Sequence, residues 1–224
     1  MIVIAHRAYR SGIDRGRENK VEAIAESFSR GWGVETDIRR SPQGAFYLSH
    51  DESICTQEND ARELCGQIRK LAPPIVALNI KELGYERELI SFLEAQAVTD
   101  RVFLFDMELL EGKPGCTASI YRALHPTIKL ASRCSDRSEP LERALMCPQT
   151  SVVWADEFDS LWLTKDDVES LKQAGKSVFA ISPEIHGFSI DDRNRRWSEF
   201  RQWGVDGVCT DYPEDLNGLL RRPS

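Results

Sequence analysis

Eight short runs rich in apolar and β-branched residues recur along the chain, and this recurrence constrains the fold more than any other feature. They lie at residues 2–5, 34–38, 75–80, 102–105, 128–131, 151–155, 177–181 and 205–209. Between them apolar residues return at helical spacing, as with Val21, Ile24, Ala25 and Phe28. Helices are predicted from Glu18-Asn19 onward and over 59–68, 85–97, 116–124, 140–146, 165–174 and 191–203. Parallel strands need a crossover, and a helix between each pair of strands supplies one, so repeated βα units predict a parallel sheet. Eight such units in 224 residues fit an α/β fold of the closed (β/α)8 kind, a TIM barrel, as a single domain over 1–224. Weak signals between Ile54 and Arg69 and around Pro140 blur the count. An open doubly wound sheet is the alternative, but no Gly-x-Gly-x-x-Gly opens the first helix.

A closed barrel gathers the C-terminal ends of its strands at one mouth, so polar residues at those ends are the candidate site. The densest stretch is GVETDIRRSPQGAFYLSHD, from Gly33 to Asp51. Glu35 and Asp37, two apart on a strand, share a face. Two carboxylates on one buried face resist ionisation unless a cation lies between them, and hard divalent ions are held by such oxygens. Pro42-Gln43-Gly44 turns the chain, residues 45–48 return as a strand, and His50-Asp51 follows. His6-Arg7 ends the first strand, Asn79 and Lys81 share a face at the end of the third, and Asp106 ends the fourth. Two histidines beside a carboxylate-held metal, with cations nearby, suit displacement at phosphorus. Cations offset charge on phosphoryl oxygens, while one imidazole takes a proton and the other gives one.

Composition narrows the partners. The formal charge of −7 implies no general polyanion surface, which argues against nucleic acid. No run is long enough to insert in a membrane, and the N-terminus lacks the order of a signal peptide. The six cysteines (Cys55, Cys65, Cys116, Cys134, Cys147 and Cys209) show no zinc-like spacing and read as reduced thiols of a cytoplasmic protein.

In this order, IAHR, Glu18-Asn19, VETDI, LSHD, LNIK and GVDGVCTDYPEDL resemble the glycerophosphodiester phosphodiesterase family, within the phosphatidylinositol-specific phospholipase C-like superfamily. The resemblance implies that His6 and His50 are the acid/base pair and that Arg7 and Lys81 contact the phosphate. It places Glu18 by the metal or substrate, and Glu35, Asp37 and Asn79 around one Mg²⁺ or Ca²⁺ ion. The implied substrate is a small-molecule phosphodiester. Two departures mark a divergent member. The family's His-Arg-Gly is His6-Arg7-Ala8, and the Glu of its E-x-K pattern is Asn79, an uncharged ligand that lowers metal affinity unless Asp106 or Asp51 compensates. A superfamily lyase that stops at a cyclic phosphate and a non-catalytic phosphoryl-binding barrel are the alternatives.

Elsewhere the expectations are modest. The stretch WADEFDSLW (154–162) either packs the helix layer or lines a pocket for a choline-like or sugar-like group, with Asp156 or Glu157 facing a cation. The run Asp191-Asp192-Arg193-Asn194-Arg195-Arg196 reads as a solvated helix face. Arg133 reaches either the mouth or solvent, and His125 and His186 are given no role.

Overall fold

The computed structural model describes residues 1–222. Nine strands form it: β1 (Ile2–His6), β2 (Gly33–Arg40), β3 (Phe46–Leu48), β4 (Val76–Ile80), β5 (Val102–Phe105), β6 (Lys129–Ser135), β7 (Val152–Asp156), β8 (Ser177–Ile181) and β9 (Gly207–Thr210). Eight of them run parallel in the order β1-β9-β8-β7-β6-β5-β4-β2, and β1 pairs with β2 to close the barrel. The short β3 is the expected hairpin return, antiparallel on β2 with Ile38 opposite Leu48.

Eight helices cover the barrel: α1 (Val21–Ser29), α2 (Ala61–Leu71), α3 (Glu86–Ala95), α4 (Cys116–Leu124), α5 (Leu141–Met146), α6 (Lys165–Gln173), α7 (Ile190–Trp203) and α8 (Pro213–Leu220). Local chemistry sets their ends. Thr164 caps α6 by accepting from the Asp167 N–H, and the Asp167 side chain accepts in return from the Thr164 N–H. Gly204 ends α7 at φ 75°, a conformation glycine adopts at little cost. Pro213 opens α8 at a position whose N–H has no helical partner to lose.

The core has two layers. Alternate residues of every strand point outward to the helices, and the others fill the barrel with Ile4, Ala77, Phe103, Trp154, Phe179 and Cys209 among them. The bulk of Phe179 dictates the glycine beside it. A Cβ on Gly207 would come within 2.7 Å of the Phe179 ring, so only glycine lets β9 pass there. The same inward set ends at the mouth in polar residues, because register places His6 beside Glu35 and Asp37 beside Asn79.

Three local expectations are corrected. Helix α1 begins at Val21, and Glu18-Asn19 belong to the loop before it, with Asn19 at φ 57°. The 191–196 run is not uniformly solvated, because Arg193 and Arg196 are buried. Arg196 forks onto the buried Glu157 carboxylate, which also accepts from the Leu163 N–H. Glu157 is therefore turned into the helix layer and does not face a ligand.

Candidate active site

The segment after β1 is strained where the site begins. Arg7 (φ 47°) and Ala8 (φ 64°) both take left-handed backbone, which costs a non-glycine residue roughly 1–2 kcal/mol. The resulting turn carries the Arg7 N–H to Glu35 Oε2 (3.2 Å) and the Arg7 guanidinium to Glu18 Oε1 (2.7 Å). Glu18 is gripped from three sides, since Tyr9 Oη and Arg15 also donate to its Oε2 at 2.8 and 2.6 Å. Burial alone would raise its pKa, but these bonds and the Arg7 charge hold it below the ordinary value.

Asp37 is wholly buried and is held by ligands from two loops. Asn19 Nδ2 donates to its Oδ2 at 2.9 Å, and the Asn19 Oδ1 accepts from Thr36 Oγ1 at 2.7 Å. Lys81 Nζ lies 3.2 Å from Asp37 Oδ1 and Arg7 Nε 3.5 Å from Oδ2. Asp37 Oδ1 nonetheless makes no hydrogen bond. Glu35, on the same face, is pushed up to about 7 by burial and by the charge of Asp37. Burial is the larger of these causes, and the charges of His6 and Arg7 oppose it without restoring the ordinary value.

His6 is oriented by a residue that sequence reasoning did not single out. Its Nδ1 lies 2.6 Å from Asp211 Oδ1, just beyond β9, and its Nε2 lies 3.9 Å from Glu35 Oε2. An ionised acceptor at Nδ1 fixes the proton there and leaves Nε2 as the free nitrogen of the neutral ring. Burial would lower the His6 pKa, but the Asp211 hydrogen bond and the charges of Glu35 and Asp211 outweigh it and raise it. His50, in contrast, is half-buried, with Nδ1 2.9 Å from Asp51 Oδ1.

Two cavities meet at these groups. An inner one of about 300 Å³ over the barrel axis is bordered by His6, Arg7, Glu35, His50, Asn79 and Lys81. An outer one of about 650 Å³ shares Arg7 and His50 and adds Arg15, Glu18 and Lys20. The structure thus brings all eight sequence-derived site residues to one mouth, with Asp37 beneath the cavity floor. It also brings Asp106, Arg133, Asp156 and His186 to the inner cavity. Asp106 does not take over as a third carboxylate beside Glu35 and Asp37, because Asn79 Nδ2 and Arg133 engage its oxygens at 2.9 and 2.5 Å. Asp51 is almost fully exposed. Trp154 packs inside the barrel with its ring centroid 4.4 Å from that of Phe105.

Metal fit can be judged from the donor set. Among the described residues no three His, Cys, Asp or Glu side chains converge as metal ligands. Glu35, Asp37 and the Asn79 amide offer oxygen donors of the kind a hard divalent ion takes, and Asp37 Oδ1 makes no hydrogen bond although Lys81 Nζ lies 3.2 Å away.

No protein-family model matches the chain, and no curated protein sequence matches it. Solved structures do. A candidate glycerophosphodiester phosphodiesterase from Galdieria sulphuraria superposes with a TM-score of 0.75 at 20% identity, over 99% of this chain and 98% of that one. A glycerophosphodiester phosphodiesterase from Parabacteroides distasonis gives 0.71 at 18% identity, over 98% and 96%. An Oleispira antarctica phosphodiesterase in complex with the product sn-glycerol-3-phosphate gives 0.68 at 17% identity, over 99% and 97%. At these identities the likeness is one of fold.

Proposed function

We propose that this barrel is a divergent, metal-dependent phosphodiesterase that hydrolyses a small polar phosphodiester of the glycerophosphodiester type. The observation that carries the reading is the meeting of two cavities at Arg7 and His50, with His6 beside them. A diester has two alcohol arms on one phosphorus, and each cavity can receive an arm while the phosphoryl group sits between them. The full-length likeness to phosphodiesterase structures, one of them in complex with sn-glycerol-3-phosphate, supports the same chemistry.

In this mechanism Arg7 and Lys81 attract the phosphoryl oxygens, and Glu18 holds Arg7 in place. His6 accepts a proton at Nε2 from the attacking oxygen, either water or a neighbouring substrate hydroxyl whose cyclic phosphate water then opens, and Asp211 stabilises the imidazolium that forms. His50, free to reorient at the cavity edge, gives a proton to the departing alcohol oxygen. Glu35, Asp37 and Asn79 would hold one Mg²⁺ or Ca²⁺ ion, which supplies Lewis-acid stabilisation of the phosphoryl oxygens. Six free cysteines, and the absence among the described residues of a helix long and apolar enough to cross a membrane, fit a cytoplasmic enzyme acting on a dissolved substrate.

A phosphoryl-binding barrel without turnover is the second reading. The Asn79 replacement and the cations already against Asp37 favour it. Hydrolysis of bis(p-nitrophenyl) phosphate and a glycerophosphodiester panel, with Mg²⁺, Ca²⁺, Mn²⁺ or EDTA, separates the two. Activity lost in EDTA, and reduced about 10²-fold or more in His6→Ala and His50→Ala, supports the enzyme. Stabilisation by a divalent ion without turnover supports the binder, and no response to any ion removes the metal assignment.

A further inference from the structure

Next to Asp211 lies a half-buried carboxylate, Glu184, to which the proposed chemistry gives no task. It stands in the helical turn Pro183–His186 that follows β8. Its Oε1 accepts from Thr210 Oγ1 at 2.5 Å and from the Asp211 N–H at 3.2 Å. Thr210 Oγ1 in turn accepts from the Tyr212 N–H at 3.0 Å. One oxygen thus ties down three consecutive residues, the last of β9 and the two after it.

The other oxygen is anchored from behind. Glu184 Oε2 accepts from Ser182 Oγ, which accepts from Trp197 Nε1 at 2.7 Å. Ser182, Trp197 and Thr210 are all buried. The Ser182 N–H donates to the Cys209 carbonyl at 2.8 Å, which extends the pairing of β8 with β9 and delivers Glu184, two residues on, to the end of β9. A chain of hydrogen bonds therefore runs from α7 in the helix layer to the backbone of Asp211.

That backbone matters because Asp211 Oδ1 lies 2.6 Å from His6 Nδ1. A short aspartate side chain can hold an imidazole only if its own main chain is fixed, and a productive site tolerates displacements of only about 0.5 Å. The Asp211 main chain is held at two points, its N–H by Glu184 and its carbonyl by the Gly12 N–H at 2.8 Å. Gly12 belongs to a largely exposed loop, whereas Glu184 is tied to buried side chains. Glu184 is the firmer of the two holds.

We propose that Glu184 is a positioning residue for His6. By fixing the turn that carries Asp211, it keeps the proton of the neutral ring on Nδ1 and leaves Nε2 free to accept. The catalytic task this gives His6 rests on the phosphodiester reading of the mouth.

Nitrogen-15 NMR of the full chain, at a pH where the ring is neutral, reads the His6 tautomer, with His6→Ala identifying its resonances among the four histidines. Glu184→Asp keeps the charge but withdraws the oxygens by about 1.5 Å, too far to hold the Asp211 N–H. The ratio of Nδ1–H to Nε2–H tautomer at His6 is expected to fall roughly threefold or more. In phosphodiester hydrolysis kcat should fall roughly fivefold or more, with KM within about twofold of wild type. Glu184→Gln still offers a carbonyl oxygen to Thr210 and Asp211 and should keep the wild-type tautomer. In an Asp211→Asn background, Glu184→Asp should change kcat by no more than about twofold, because its route to His6 is already cut. An unchanged tautomer in Glu184→Asp would overturn the proposal, since a group that merely closes the turn would give that result. So would a full effect of Glu184→Asp in the Asp211→Asn background, or loss of the tautomer in Glu184→Gln alone, which would assign the effect to charge. A wild-type chain that cleaves no phosphodiester would bring down the phosphodiester reading, while the tautomer comparison would still decide whether Glu184 positions His6.

Discussion

Asp211 shows how one carboxylate can decide the chemistry of a residue more than two hundred positions away. Its bond to Nδ1 sets the tautomer of His6, so Asp211→Asn, which is similar in shape but can donate, should leave Nε2 protonated and unable to accept. At least a tenfold fall in kcat is expected, with a melting temperature close to wild type. Glu108 offers a second test, on stability. Its Oε1 accepts from the Arg133 N–H, its Oε2 is buried without a partner, and burial pushes its carboxyl up to about 7. The unfolded chain ionises this group near 4.5 and the folded chain near 7. Below 4.5 the group is neutral in both states and has no effect, and between 4.5 and 7 stability is lost as pH rises. Glu108→Gln removes that penalty. It should raise the unfolding free energy at pH 8 by about 1–3 kcal/mol relative to its effect at pH 4.5, read from urea titrations at the two values. The site residues on strand ends were legible in the sequence because a period of two and a barrel mouth suffice to gather them. His186 was not, since it lies in the turn after β8 and meets Asp156, thirty residues earlier, only once β8 pairs with β7. Nor was the burial of Arg196, which depends on Glu157 as a distant partner.

At the scale of elements, side-chain volume inside the barrel limits how closely neighbouring strands can pass. Gly207 faces Phe179, and a Cβ there would meet the ring at 2.7 Å and the Ile2 carbonyl oxygen at 3.1 Å. Gly207→Ala must therefore displace either β9 or the ring and is expected to cost about 1–3 kcal/mol, measured as a lower urea midpoint with an unchanged slope. Most strand positions were legible because both faces of a parallel barrel strand are largely apolar, so those strands stand out as continuous runs, whereas Val34 to Ile38 stood out by β-branched residues alternating with polar ones. The start of α1 was misplaced by two to three residues. Asn19 looks like a helix opener, but its side chain is committed to Asp37 and Thr36 and its backbone is left-handed. The final helix α8 was not read from the sequence; it begins at the end of GVDGVCTDYPEDL, where Pro213 and the acids after it supply the start signal in hindsight.

For the whole molecule, the fold and the mouth form one device, with parallel strands delivering His6, Glu35, Asn79, Arg133 and Asp156 to the same rim. If a divalent ion binds the folded chain at Glu35 and Asp37, ion at about a hundred times its dissociation constant adds roughly 2.7 kcal/mol. For a chain of this size that corresponds to a rise in Tm of about 5–10 °C, which EDTA abolishes and which Glu35→Gln lacks. The most direct test of phosphodiester cleavage at this mouth is phosphorus NMR of glycerophosphoinositol incubated with the full chain and Mg²⁺ or Ca²⁺. The expected result is replacement of the diester resonance by that of a phosphomonoester, with or without a transient cyclic phosphate, and no change with His6→Ala. A diester signal that persists unchanged with wild-type protein and either ion would contradict the assignment.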